Sequence, residues 1–282
     1  MDVSQPEGLA KLRDAAAAHD VVVNASGVED PRLAQAVGDA VFVEISATSS
    51  YLEQLATLST GIVMGAGLAP GLSTVLAANL KAEPGDEIDV AIMLGGGETH
   101  GNAAIAWTAG LIGKPLHDPP EARRMLNFRD RIRISDRSGE RIYLRADFPD
   151  HTLVGKPRKV VIRSWLAVDN RLATEALALA GRVPLLRWLV QHAPHIGSTR
   201  WSLVVNNRRT GQVLTARGDG QSTTTGVLTA RAAAAAVRRQ TRSPVTTADL
   251  LTIDDLRDFD VRVDNGSVEM HCSLYDFPRT SL

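Results

Sequence analysis

A doubly wound α/β unit followed by an α+β domain is the fold class the sequence predicts, and three observations predict it. Val21–Asn24, Val41–Ile45 and Ile62–Met64 are short apolar runs rich in β-branched residues, each bounded by Gly, Asn or Ser, as suits strands buried on both faces of a parallel sheet. The segments between them carry apolar residues at helical spacing: Leu33, Ala36 and Val37 in one, Leu52, Leu55 and Leu58 in the other. From Glu87 onward the pattern changes to strands, hairpin turns and longer helices. The expected division is therefore residues 1–82 and 83–282.

In order along the first part, Pro6–Ala18 is Ala-rich and reads as a helix feeding the first strand. A helix from Glu29 to Ala40 carries Pro31 in its first turn, where proline is tolerated. The carboxyl ends of the three strands are Asn24-Ala25-Ser26-Gly27, Ser46-Ala47-Thr48 and Gly65-Ala66-Gly67. Ligands of such sheets sit at these ends, and residues this small let a flat ligand approach the backbone. The turn Gly65–Pro70 precedes a helix, with Asp86, Glu87 and Asp89 some twenty residues on, so it imitates a phosphate-binding fingerprint. Pro70 stands where the third glycine would be and donates no N–H, which argues equally for a structural turn.

In the second part, Ile88–Leu94 reads as a strand, and Gly95-Gly96-Gly97-Glu98-Thr99-His100-Gly101 leads into a helix over Asn102–Ile112. Backbone amides of such a loop can meet an anion, and Glu98 and His100 can add acid–base chemistry. A solvated connection is the plainer reading, yet this loop is the first choice for substrate contact. Arg129–Ile134 and Arg141–Arg145 form an antiparallel hairpin with a charged, solvated face. An arginine of this stretch binding a substrate carboxylate is the lesser reading. Lys159–Val168 is a strand carrying Arg163, a candidate for substrate contact. Arg171–His195 reads as buried helices broken by Gly181 and Pro184, with a membrane-surface role the lesser alternative. His192 and His195 lack nearby Asp, Glu or Cys, so no metal site is expected there. Trp201–Val205 and Gln212–Ala216 flank a second hairpin turn. Thr223–Arg239 is an Ala-rich helix with arginine at its C-terminal end, Thr246–Leu256 is a short helical segment, and Val261–Val263 with Val268–Met270 form a final hairpin around Asp264-Asn265-Gly266.

The run VVVNASG, then AVFVEIS, then GIVMGAGLAPGLSTVLAANL resembles the saccharopine dehydrogenase-like oxidoreductases, with Asn24, Gly27, Glu44, Ser46, Gly65, Gly67, Pro70 and Gly71 on that family's motif positions. The resemblance implies the second half of a Rossmann-type NAD(P)-binding sheet, with the Gly65–Pro70 turn lining the cofactor rather than clamping phosphate. It implies hydride transfer between NAD or NADP and a carbonyl-, imine- or amine-type small molecule. By the same resemblance Asn24, Ala25, Ser26, Gly27, Ser46, Gly65 and Gly67 cradle the nicotinamide side, and the helix at about 223–240 packs back on the first unit. The family opens with a strand, a G-x-G-x-x-G turn and a helix. Before Val21 this chain has no such turn. Weak or absent cofactor binding is therefore expected of this chain alone. Without a neighbour, Val21–Asn24 is an apolar sheet edge that calls for a cover. Three accounts follow: a native start upstream, a separate chain supplying the phosphate-binding half, or a non-catalytic relative whose edge serves homodimerisation or a partner.

Lys plus Arg number 31 against 32 Asp plus Glu, for a net charge of −1, which gives no nucleic-acid signal. Cys272 is the single cysteine, so no intramolecular disulfide or multi-cysteine zinc site is possible. The N-terminus has no apolar signal region and no apolar run reaches about eighteen residues, so a cytoplasmic protein without a transmembrane segment is expected.

Overall fold

The computed structural model describes residues 2–98, 102–136, 139–186, 188, 197–265 and 269–271. The chain is α/β and is built on two sheets. The first is parallel, with strands β1 (Val21–Asn24), β2 (Val41–Glu44), β3 (Ile62–Met64) and β10 (Pro244–Thr246) in the order β1-β2-β3-β10. Their register places Asn24 beside Glu44, Glu44 beside Met64 and Met64 beside Thr246, so the carboxyl ends form one row. The intervening helices are α1 (Pro6–Ala16), α2 (Pro31–Ala36), α3 (Ser49–Leu55) and α4 (Leu72–Asn79). Helix α2 is shorter than the sequence suggests. Asp30 caps its start by accepting from the Arg32 amide at 2.9 Å, and Gly38, at φ +63, turns the chain out of the helix soon after its end.

The second sheet is mixed. Strands β4 (Glu87–Leu94), β5 (Arg131–Asp136), β6 (Gly139–Arg145), β7 (Val161–Val168), β8 (Arg200–Asn207), β9 (Gln212–Asp219), β11 (Arg262–Asn265) and β12 (Glu269–His271) lie in the order β11-β9-β8-β4-β7-β6-β5-β12. Helices α5 (Asn102–Leu111), α6 (Lys156–Arg158) and α7 (Arg171–Arg182) join them, and α8 (Gln221–Arg238) and α9 (Thr247–Leu250) return to the first sheet. Helix α8 lies against β1, β2 and β3 and buries Leu228, Ala232 and Ala236, its alanines being small enough for a close approach to the sheet. The core is continuous between the sheets and includes Phe42, Leu76, Ile88, Ile162 and Leu203.

Four expectations need correcting. The fourth parallel strand, β10, is not expected from the sequence: its last residue, Thr246, reads there as the start of a helical segment, and three residues beginning with proline are too short to show strand periodicity. The final pair of strands is not a hairpin, because β11 pairs with β9 and β12 with β5 at opposite edges of the sheet. This has a geometric consequence. Asn265 and Glu269 are four Cα steps apart, at most about 15 Å, whereas the edges of a flat eight-stranded sheet stand about 34 Å apart. The sheet must therefore curl into an open barrel. Its helix-free, concave face carries Ala91, Ile134, Tyr143, Trp165, Ala167 and Val204, all buried.

The hairpin of β5 and β6 is antiparallel as expected, but its charged face is not uniformly solvated. Arg145 is 2% exposed, stacks over Trp165 at 5.7 Å and pairs with Glu121 at 3.2 Å. Burial alone raises the Glu121 carboxyl, but the Arg145 and Arg163 guanidiniums beside it bring it below its ordinary value. Lastly, α7 is not a buried helix. It buries Thr174, Leu177, Ala178 and Gly181 and turns Leu172, Leu179 and Val183 to solvent. His192, His195 and Cys272 lie outside the described residues.

Candidate functional site

The carboxyl-end row of the parallel sheet is organised around Glu44, a carboxylate with no exposed surface. It accepts from the Asn24 amide nitrogen at 2.7 Å, the Ser46 backbone amide at 2.8 Å and the Tyr51 hydroxyl at 3.0 Å. Burial raises the Glu44 carboxyl, and these three bonds pull it partway back. The Tyr51 hydroxyl is held well above its ordinary value by burial first and then by the Glu44 charge.

Asn24 connects this hub to the first turn. Its amide nitrogen also donates to the Val28 carbonyl at 2.9 Å, and its oxygen accepts from the Ser26 hydroxyl at 2.6 Å. The Ser26 hydroxyl in turn accepts from the Val28 amide at 3.1 Å. Gly27 takes φ +75, a conformation that a Cβ would strain. The turn is thus rigidly held from beneath while Ala25, Ser26 and Gly27 stay exposed and Ser46 half-buried.

Gly65 and Gly67 are placed differently. Both are buried: a Cβ on Gly65 would meet Pro70 at 2.9 Å and Leu153 at 3.2 Å, and one on Gly67 would meet Thr225 at 3.3 Å. Five amides of this turn are taken by the protein itself. Ala66 donates to the Glu44 carbonyl at 2.9 Å, Gly67 to Pro70 at 3.0 Å, Leu68 to the Thr225 hydroxyl at 3.3 Å, Gly71 to the Thr74 hydroxyl at 3.0 Å and Leu72 to Gly67 at 3.0 Å. On the acceptor side, Thr229 donates to the Ala66 carbonyl at 2.9 Å and Thr247 to that of Gly65 at 2.5 Å. A phosphate would find no free donor among these amides.

The three substrate candidates are not brought together here. Glu98 accepts from the Gln221 and Ser222 amides at 2.7 and 2.9 Å, capping the start of α8, where a carboxylate complements the helix dipole. Arg163 points into the curled sheet and pairs with Glu87 at 3.0 Å and Glu121 at 3.3 Å. His100 lies outside the described residues.

Residues from the second part instead meet α3, directly after the Ser46–Thr48 loop. The Ser49 hydroxyl donates to Asp147 at 2.8 Å, and the other Asp147 oxygen accepts from the His117 backbone amide at 3.0 Å. His151 Nε2 lies 2.8 Å from the His117 carbonyl. Thus pinned on both sides, His117 sets its Nε2 2.6 Å from Glu53, which also pairs with Lys156 at 2.6 Å; Lys156 reaches Asp118 at 2.7 Å. Glu53 is one helical turn beyond Ser49, on the same face of α3. The Lys156 and His117 bonds hold the Glu53 carboxyl below its ordinary value. Sequence reasoning missed this group because Glu53, His117 and Lys156 are scattered along the chain and share no local motif; within the group only His117 and Asp118 are adjacent in sequence. No protein-family model matches the chain, and no curated protein matches it in sequence.

Proposed function

We propose that this chain is the nicotinamide-side half of an NAD(P)-dependent oxidoreductase of the saccharopine dehydrogenase-like kind, acting on a small carbonyl, imine or amine. The supporting observation is the row of parallel strand ends, in which Asn24 and Glu44 brace an exposed Ser26-Gly27 turn beside Ser46. The exposed turn fits the edge of a flat ring, while the amides of Ala66, Gly67, Leu68, Gly71 and Leu72, already bonded within the protein, do not fit a pyrophosphate. A bound nicotinamide would supply or accept the hydride. The chain's own part is to orient the ring on Ala25–Gly27 and Ser46 and to manage protons. We assign the second task to His117, whose ring is fixed by Glu53 and whose backbone is fixed by Asp147 and His151.

The test is a titration of the chain with NADH and with reduced nicotinamide mononucleotide, following the backbone amides of Ala25–Gly27 and Ser46 by NMR. Both ligands should shift these amides with similar dissociation constants, on the order of millimolar, because only the shared half of the molecule is recognised. Micromolar NADH binding with a hundredfold preference over the mononucleotide would sink the reading, as would silence at those amides. A second reading has its own support: β1 has a hydrogen-bonded neighbour on one side only among the described residues, and Val23 is 43% exposed. If neither nucleotide binds and Val23→Lys dissociates an oligomer, β1 is a docking edge and the chain an interaction module.

A further inference from the structure

Several arginines of the curled sheet are closed on a carboxylate: Arg131 on Glu175 at 3.1 Å, Arg145 on Glu121 at 3.2 Å and Arg163 on Glu87 at 3.0 Å. Arg123 and Arg124, in the loop that leads into this sheet, are not. Both are exposed, and neither has a hydrogen-bond or ion-pair partner among the described residues. With Met125, Leu126, Arg129 and Asp130 they line a cleft of about 440 Å³. Arg129 is oriented by one bond, from its Nε to the Gly181 carbonyl at 3.3 Å, and its two terminal nitrogens have no partner among the described residues. The neighbouring acids of the loop are engaged elsewhere: Glu121 with Arg145 at 3.2 Å and Arg163 at 3.3 Å, and Asp118 with Lys156 at 2.7 Å. Asp130 is the cleft's one carboxylate, so three guanidiniums stand against a single acid.

From this arrangement we propose that the cleft binds a small phosphate monoester, with its phosphate on Arg123, Arg124 and Arg129 and its organic body against Met125 and Leu126. The inference is independent of the nucleotide reading above.

Charge selects the class of ligand. The local excess of two positive charges matches a phosphate monoester, which carries about −1.5 to −2 near neutral pH. Guanidinium forks also suit the paired oxygens of a phosphate. Met125, almost wholly buried, and half-buried Leu126 give the cleft an apolar wall, and its volume falls in the range of about 300–1,000 Å³ typical of small-molecule sites. A nucleic acid would need a basic stripe running beyond the cleft, in a chain whose net charge is −1.

The cleft is also preformed. The Met125 carbonyl accepts from the Leu116 amide at 2.9 Å, the Asn127 amide donates to the Lys114 carbonyl at 3.1 Å, and the Phe128 amide donates to the Arg145 carbonyl at 2.8 Å. Ala122 and Phe128 take φ +51 and +65, and Phe128 is fully buried. Residues with a Cβ hold such angles where the surrounding structure imposes them. A loop fixed in this way loses little conformational freedom when a ligand arrives.

The experiment is a titration of the purified full chain with phenyl phosphate, phenyl sulfate and inorganic phosphate at constant ionic strength, following the amides of residues 123–130 by NMR. Phenyl phosphate should shift them saturably, with a dissociation constant on the order of 0.1–1 mM. It should bind about fivefold or more tighter than phenyl sulfate, which has the same body and less charge, and than inorganic phosphate, which lacks the body. Arg123→Ala/Arg124→Ala alters exposed, unpaired side chains, so it should keep the wild-type circular dichroism spectrum and lose at least about tenfold in binding. Asp130→Asn removes the opposing charge and should bind phenyl phosphate more tightly. Inorganic phosphate binding as tightly as phenyl phosphate would make the free anion the ligand and overturn the monoester assignment. Equal binding of phenyl sulfate and phenyl phosphate, undiminished binding by the double variant, or no saturable shift at these amides up to about 20 mM would each overturn the proposal.

Discussion

Asp150 offers the sharpest test of the interior. Its carboxyl is buried at the start of α4, where one oxygen accepts from Thr74 at 2.7 Å and from Ser73 at 3.2 Å. The other oxygen has no partner. Burial raises the Asp150 carboxyl above its ordinary 3.8, the two hydroxyls opposing the shift. In the unfolded chain the proton leaves near that ordinary value; in the fold it stays until a higher pH. Between the two values the folded state holds more protons, so its stability falls as pH rises, by about 1.4 kcal/mol per pH unit for this group. Asp150→Asn removes the titration and keeps the oxygen that Ser73 and Thr74 address. It also places an amide where the unpartnered oxygen was, at a penalty of about 1–3 kcal/mol. Below the ordinary carboxyl value the wild type should therefore be the more stable by about that amount. With rising pH its advantage should shrink by about 1.4 kcal/mol per unit until Asp150 ionises in the fold, and level off thereafter. Urea denaturation of both proteins at matched pH values measures the difference directly, and Glu44, present in both, cancels. A stability difference that stays constant with pH would refute the upward shift of the Asp150 carboxyl.

Two further outcomes follow from buried polar groups. Glu44→Ala leaves the Asn24 amide and the Tyr51 hydroxyl without their shared acceptor, and it should lose about 2–4 kcal/mol in urea denaturation, with Glu44→Gln recovering most of it. Arg145→Ala leaves Glu121 with Arg163 as its remaining cation and should destabilise by up to about 3–5 kcal/mol, whereas the double change Arg145→Met/Glu121→Met, after which Arg163 keeps Glu87, should lie closer to wild type; equal losses in single and double variants would show that the pair contributes through packing alone.

What the sequence determined by itself is the local grammar. The β-branched runs at Val21, Val41 and Ile62 read as parallel strands and are so; those at Val41 and Ile62 are buried on both faces as expected, whereas Val21–Asn24 lies at the sheet edge with Val23 exposed. The ends of those strands, and hence the exposed Ser26-Gly27 turn, were legible from the same runs. Tertiary structure alone decided which of these ends stay open. Gly65 and Gly67 read as equally accessible, yet Thr225, Thr229 and Thr247, more than one hundred and fifty residues away in sequence, seal that turn, as the hydroxyl bonds to Leu68, Ala66 and Gly65 show. The same holds for the His117–Glu53–Lys156 group and for the curl of the large sheet, where β11 and β12 are near neighbours in sequence but pair at opposite edges. Helix α7 marks the boundary between the two kinds of information. Its amphipathicity is plain in the residue order, but which stripe is covered depends on what packs against it, and the fold places the Leu177–Ala178 side inward and leaves the Leu172–Leu179 side in water. Periodicity is a property of a segment and is written into it; contact between distant segments is set by the geometry of the whole chain, which no window of sequence contains.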